Sequence, residues 1–152
     1  MNNNNNNNYR TFFIMILASF FIMYAVMYLN VDSINHIYLN TTRLYMTLMM
    51  VALMSLLMLA LMRMMYQNKK SNLIIVFSSI TIFFLALTGV RTQTPIGDVQ
   101  YMKGMIPHHS IAIMTSKNAN LKDPEVKQLA QEIITAQEKE IAQMKRIIAR
   151  MK

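Results

Sequence analysis

The sequence predicts an all-α membrane protein in which three transmembrane helices precede a two-helix hairpin outside the membrane. Hydrophobic residues make up 54% of the 152 residues and charged residues only 14%, and the mean hydropathy is +0.27. Such a chain is too apolar for an ordinary soluble protein of this length. Long uncharged stretches fill the chain before residue 91, whereas the later residues have ordinary polar composition and helical periodicity.

The composition also excludes several classes of function. The chain contains no cysteine, which rules out disulfides, thiolate zinc sites, iron–sulfur clusters and cysteine nucleophiles, so a soft metal ligand must be methionine. The polar C-terminal part is too short for a self-contained catalytic domain, and it offers no Ser, acid and His grouping, so we predict that the protein is not an enzyme. Lys and Arg total 15 against 7 acids. The basic residues of the N-terminal part flank apolar stretches as topology signals, so we expect no nucleic acid as a partner.

A membrane anchor is predicted over residues 12–90, after an Asn-rich segment, residues 1–11, that we expect to be disordered for want of apolar side chains. Residues 12–29, 44–62 and 73–90 contain no Asp, Glu, Lys, Arg or His. An 18-residue helix rises about 27 Å, close to the roughly 30 Å of a hydrocarbon core. Each stretch can therefore cross a lipid bilayer, and the first lacks a signal-peptide cleavage pattern.

The distribution of basic residues predicts the orientation. Arg10 precedes the first span, and Arg63, Lys69 and Lys70 lie between the second and third. By the positive-inside rule, the N-terminus is cytoplasmic and everything after residue 90 lies in the periplasm or outside the cell.

The C-terminal part is predicted to be a linker, residues 91–97, and a helical hairpin, residues 98–152. Asp98 is a candidate N-cap for a helix that runs to about Asn118, and Asp123-Pro124-Glu125 is typical of a second helix start. Two helices cannot enclose a core, so we expect a homodimer that completes a four-helix bundle. The apolar stripe of the second helix consists of Ala130, Ile133, Ile134, Ile141, Met144, Ile148 and Met151.

The candidate metal-binding side chains of the first hairpin helix are two methionines, Met102 and Met105, and two histidines, His108 and His109. Met105 precedes His108 by three residues and His109 by four, so one helix face presents thioethers and at least one imidazole. Adjacent histidines point about 100° apart, so one is expected to ligate while the other bonds or bridges. Pro107 is expected to kink this helix.

Thioether and imidazole ligands suit Cu(I) and, by softness, Ag(I), whereas Mg²⁺ and Ca²⁺ prefer oxygen. Zinc fits less well because methionine is a poor zinc ligand, and a di-iron centre would need Glu where Met105 and Ile106 stand. The alternative is that the methionines fill a core and the histidines satisfy buried hydrogen bonds in a non-catalytic interaction or dimerisation module.

Three motifs together resemble a known family. They are Met105-Ile106-Pro107-His108-His109, then Asp123-Pro124-Glu125, then Gln137-x-x-Glu140-Ile141-x-x-Met144, and their order and spacing are similar to the bacterial domain of unknown function 305 family over about residues 98–148.

The resemblance implies a ferritin-like helical bundle that is often exported, with some members linked to copper or silver binding and copper tolerance. It also implies a bacterial inner membrane. Longer members carry two such hairpins, so the single copy here again indicates dimerisation, and Ser110 replaces a frequent Gln, which removes a possible hydrogen-bond partner. Carried over by position, the metal candidates are Asp98, Met102, Met105, His108, His109 and Met144, with Gln137 and Glu140 as outer partners.

We therefore expect a membrane-anchored protein that presents a Met/His site for Cu(I), or silver, in copper sequestration, handover or tolerance. His108 and Met105 are the expected inner ligands, completed by Met102, His109 and Met144 within or across a dimer.

Overall fold

The fold is described by a computed structural model covering residues 2–151, with side chains from residue 7 onward. Over this range the backbone forms five α-helices, one short 3-10 helix and no strand, which confirms the all-α prediction. The helices are α1 (Asn2–Val26), the 3-10 helix (Ile34–His36), α2 (Thr41–Leu61), α3 (Lys69–Thr92), α4 (Asp98–Asn118) and α5 (Pro124–Arg150).

The first three α-helices are long and apolar enough to cross a membrane. The qualifying segments are Asn7–Val26, Thr41–Leu61 and Lys69–Thr92, of 20, 21 and 24 residues. At about 1.5 Å per residue, even the shortest rises about 30 Å, the thickness of a hydrocarbon core. Three apolar helices of membrane-spanning length were predicted and are present.

The Asn-rich N-terminal segment differs from its prediction. α1 begins at Asn2 and includes the Asn tract, whereas the sequence favoured disorder over residues 1–11; Met1 lies outside the described residues. Extending an existing helix adds one hydrogen bond per residue without a new nucleation cost. The Asn8 side chain donates to the Met65 carbonyl at 3.0 Å, and the Tyr9 hydroxyl donates to Asn72 Oδ1 at 2.6 Å. The first helix therefore starts before residue 12.

The chain divides into two compact units. The apolar unit contains the chain up to Val26 and Thr42–Pro95, and the hairpin unit contains Met27–Thr41 and the chain from Ile96 onward. In the apolar unit, the Ser55 and Ser79 hydroxyls share a buried hydrogen bond between α2 and α3. Its core contains Phe12, Met58, Leu59, Tyr66 and Ile75.

The hairpin unit includes the loop that joins α1 to α2, which the sequence assigned only to the membrane anchor. The 3-10 helix packs on α4, and the Asp32 backbone N–H donates to Ser110 Oγ at 2.8 Å. Tyr38 packs against the hairpin core. The sequence offered no signal for this docking, because it depends on single polar groups far apart in the chain.

α4 and α5 meet along one apolar seam. Ile106 and Ile113 of α4 are 0% exposed and lie against Ile141 and Ile148 of α5. The predicted stripe of α5 therefore faces α4 over its C-terminal half. Near its N-terminus, Leu129 remains 54% exposed.

The helix starts agree with the sequence at α5 and differ at α4. Asp123 caps α5, since its side chain accepts from the Glu125 and Val126 amides at 2.9 and 3.1 Å. The N-cap of α4 is Gly97 rather than Asp98, which lies in the first turn, where a carboxylate still meets the positive end of the helix dipole. Pro107 lies inside α4 without ending it.

We expect Asp123→Ala to destabilise the start of α5 by about 1 kcal/mol, because two helix amides lose their acceptor. Hydrogen exchange of residues 124–130 in the intact protein would measure the loss as faster exchange. Asp123→Asn keeps an acceptor oxygen and is the matched control. Equal exchange in both variants would contradict the capping role.

Candidate metal site

A cleft between α4 and α5 contains most of the predicted metal ligands. Its volume is about 610 Å³. α4 and the last three turns of α5 form its walls, because residues three or four apart share a helix face. The lining residues are Asp98, Tyr101, Met102, Met105, His109, Glu140, Gln143, Met144, Ile147, Arg150 and Met151.

His109 lies in this cleft with both ring nitrogens engaged. Nδ1 is 2.9 Å from the Met105 carbonyl oxygen, and Nε2 is 2.6 Å from Glu140 Oε2. A carbonyl can only accept, so Nδ1 carries a hydrogen and donates it. His109 is only 8% exposed, so these two contacts define its ring orientation.

The short contact with Glu140 needs a proton. With Nδ1 already a donor, one further proton lies between Nε2 and Oε2, and it makes the pair either an imidazolium with a carboxylate or an imidazole with a carboxylic acid. The Glu140 side chain is 51% exposed. Its carboxylate is therefore able to turn toward water, and Nε2 becomes available as a ligand once the shared proton leaves with the carboxyl group or passes to solvent.

Four methionine side chains, Met102, Met105, Met144 and Met151, line the cleft together with His109. Met102 is buried, at 6% exposure, while Met105 and Met144 are half-buried. Asp98 adds a carboxylate at the N-terminal end of α4. The structure thus brings together five of the six predicted ligands, and it adds Met151 and the direct contact of Glu140, which was predicted only as an outer partner.

His108 and Gln137 are the two candidates that lie outside the cleft. His108 is exposed, whereas the seam and the cleft both lie on the face of α4 that carries His109. His109 is therefore the histidine that lines the cleft, whereas the expected inner ligand, His108, lies outside it. The signal was present in the sequence, because Met102 lies seven residues before His109, two helical turns along one face. Which of the two binds a metal ion stays a prediction.

Within residues 2–151, no three His, Asp or Glu side chains converge in a group able to hold a metal ion. The donors available in the cleft are thioethers, one imidazole and carboxylates. Coordination at this place would therefore depend on methionine sulfur, which favours soft ions over hard ones.

Comparison with known proteins gives two matches. Residues 86–148 match the family "Domain of unknown function (DUF305)", so the match begins inside α3, earlier than the motifs indicate. "Uncharacterized protein L153" of Acanthamoeba polyphaga mimivirus is 42% identical over 138 residues, which cover 89% of this chain and 89% of that protein. No solved structure matches. A relative of this identity and coverage shows that the chain belongs to the same family as the mimivirus protein.

Proposed function

We propose that this protein is a membrane-anchored, non-enzymatic binder of Cu(I) or Ag(I) that serves in sequestration, handover or tolerance. The observation that carries the proposal is that His109, Met102, Met105 and Met144 line the same cleft. Sulfur and imidazole nitrogen are the donors that soft monovalent ions prefer.

The hydrogen bond of His109 Nδ1 supports this proposal. Metal-binding histidines usually donate one ring N–H to a carbonyl or carboxylate, which fixes the tautomer and aims the other nitrogen at the metal. The Met105 carbonyl has that role here, at 2.9 Å, and leaves Nε2 as the ligating atom. Glu140 would have to release Nε2 before an ion binds.

We expect His109→Gln to lower the affinity for Ag(I) at least about tenfold, the change produced by losing about 1.4 kcal/mol of binding energy. The measurement is a competition titration of the full chain in detergent and chloride-free buffer, with Ag(I) as a redox-stable probe. His108→Gln is the matched control, since His108 is adjacent but exposed and outside the cleft. Unchanged affinity in His109→Gln would argue against the site.

The sulfur donors have a control of their own. Replacing Met102, Met105 and Met144 together by Leu keeps most of the packing volume and removes three thioethers from the cleft. Met114→Leu removes a half-buried methionine of α4 that does not line it. The proposal requires weaker Ag(I) binding in the triple variant only.

A second candidate is an interaction module in which the histidine is structural. The observation that favours it is that both nitrogens of His109 already have partners, as a buried polar ring requires. Under this alternative, Ag(I) leaves the melting temperature unchanged. Under the metal proposal, a saturating ion stabilises the fold, by about 2.7 kcal/mol at a concentration 100 times its dissociation constant.

We propose that the hairpin unit lies on the side of the membrane opposite the N-terminus. Two candidate spans, α2 and α3, separate the 27–41 loop from the C-terminal hairpin, so both lie on one side if both helices cross. The hydrogen bond from the Asp32 backbone N–H to Ser110 is consistent with both segments lying on the same side of the membrane. This support is independent of the distribution of basic residues. Arg10 before α1 and the basic residues between α2 and α3 support a cytoplasmic N-terminus by the positive-inside rule. The periplasmic or extracellular location and the bacterial inner membrane stay predictions.

Because the chain has no cysteine, single introduced thiols can test the orientation. We expect Asn120→Cys, in the exposed turn between α4 and α5, to react with a membrane-impermeant maleimide on intact cells. Gln67→Cys, in the exposed turn between α2 and α3, should react only after lysis. The reverse pattern would place the hairpin in the cytoplasm.

We also propose that the hairpin dimerises through the N-terminal half of α5. Val126 and Leu129 are 45% and 54% exposed there, three residues apart on one face. A second copy would cover them and complete a four-helix bundle.

Leu129→Lys is expected to shift the protein from dimer to monomer, because it places a charge in the contact. Light scattering of the detergent-solubilised chain would measure the mass, with Gln131→Lys, exposed on the same helix, as the control. A monomeric parent protein would disprove the dimer.

A further inference from the structure

The loop between α1 and α2 is hydrogen-bonded to the hairpin through one buried hydroxyl group, that of Ser110. Ser110 is 0% exposed, and its Oγ accepts the Asp32 backbone N–H at 2.8 Å and lies 2.9 Å from His36 Nδ1. The resemblance implied that Ser110 removes a hydrogen-bond partner. The structure instead makes it the joint between α4 and the loop.

Two weaker contacts and one apolar contact complete the docking. Lys117 Nζ of α4 donates to Asp32 Oδ2 at 3.2 Å, and Thr41 Oγ1 lies 3.4 Å from Gln100 Oε1. Tyr38 packs on the seam of the hairpin. Ser110 contacts both Asp32 and His36, so a change at Ser110 affects two contacts of the docked loop at once.

His36 is the group in this joint whose charge can change near neutral pH. The Ser110 hydroxyl accepts the Asp32 N–H and keeps its own hydrogen, which it can donate to Nδ1 of a neutral His36. The docked geometry therefore accommodates an uncharged His36 without loss of either bond.

The surrounding charges act in the same direction. Burial lowers the pKa of His36 from its ordinary 6.5, and Lys145 of α5 and Lys117 of α4 lower it further, whereas Asp32 of the loop itself raises it. The net shift is downward. Lys117 keeps its charge, because its hydrogen bond with Asp32 raises its own pKa, and Glu138 adds to this effect at 3.5 Å.

We propose that the 27–41 loop is a proton-controlled latch, docked on α4 and α5 while His36 is neutral and released when His36 gains a proton. A released His36 titrates at its ordinary value and a docked one at a lower value, so the released state binds more protons between the two. Docking is therefore at full strength above about pH 6.5 and weakens as the pH falls through that value toward the lower pKa of the docked state.

The latch is independent of the proposed metal function. His36 does not line the cleft, and no step of the docking uses a metal ion. In an acidic compartment the loop would detach from the part of α4 that carries Ser110. Ser110 directly follows His109, so this part of α4 is next to the cleft.

The test is hydrogen exchange of residues 27–41 in the full chain, in detergent without added metal, from about pH 8 to about pH 5 and corrected for the intrinsic pH dependence of exchange. We expect the loop to lose most of its protection across this range, while residues 141–148 of the seam keep theirs. Constant protection of the loop would overturn the proposal.

Three variants and one matched control separate the latch from general unfolding. His36→Gln should remove the pH dependence, and a pH response equal to that of the parent would also overturn the proposal. Lys145→Met should reduce the fall in protection, because the docked His36 loses a repelling charge, whereas Lys139→Met, exposed on the same helix, should not. Ser110→Ala should leave the loop poorly protected at every pH, because both hydrogen bonds are lost.

Discussion

The apolar seam between α4 and α5 is the constraint on which the hairpin unit depends. Ile106 and Ile113 are fully buried against Ile141 and Ile148, and this contact sets the rotation of each helix about its axis. Because side chains three or four residues apart share a face, that rotation also decides which polar groups lie beside the seam. It places His109 at the cleft and leaves the neighbouring histidine in solvent.

The pair formed by His109 and Glu140 is where the two proposed functions diverge. Its geometry satisfies a buried ring without any ion, yet it also prepares one nitrogen for coordination by fixing the other on the Met105 carbonyl. The carboxylate is half exposed, so opening the pair exchanges one hydrogen bond for solvation in water. Under the metal proposal, the methionines that line the same cleft would supply sulfur donors without charge.

The loop that joins the first two helices makes the hairpin unit discontinuous in sequence. Residues before α2 and residues after α3 form one packed body, joined at Ser110 and Lys117. The apolar helices α2 and α3 therefore lie, in the sequence, between two segments of one packed unit.

The sequence by itself determined the features that repeat along the chain. Uncharged stretches predicted three membrane-length helices, Asp123-Pro124-Glu125 predicted the start of α5, and the three-and-four spacing predicted its buried stripe, because each is a local pattern. Only the tertiary structure decided the contacts that no periodic pattern of the sequence encodes. In that structure His109, and not His108, lines the cleft and pairs with Glu140. The Asp32 backbone N–H of the loop donates to Ser110. These contacts join residues at least 31 positions apart, and a pair of polar atoms at that separation leaves no pattern in a single sequence.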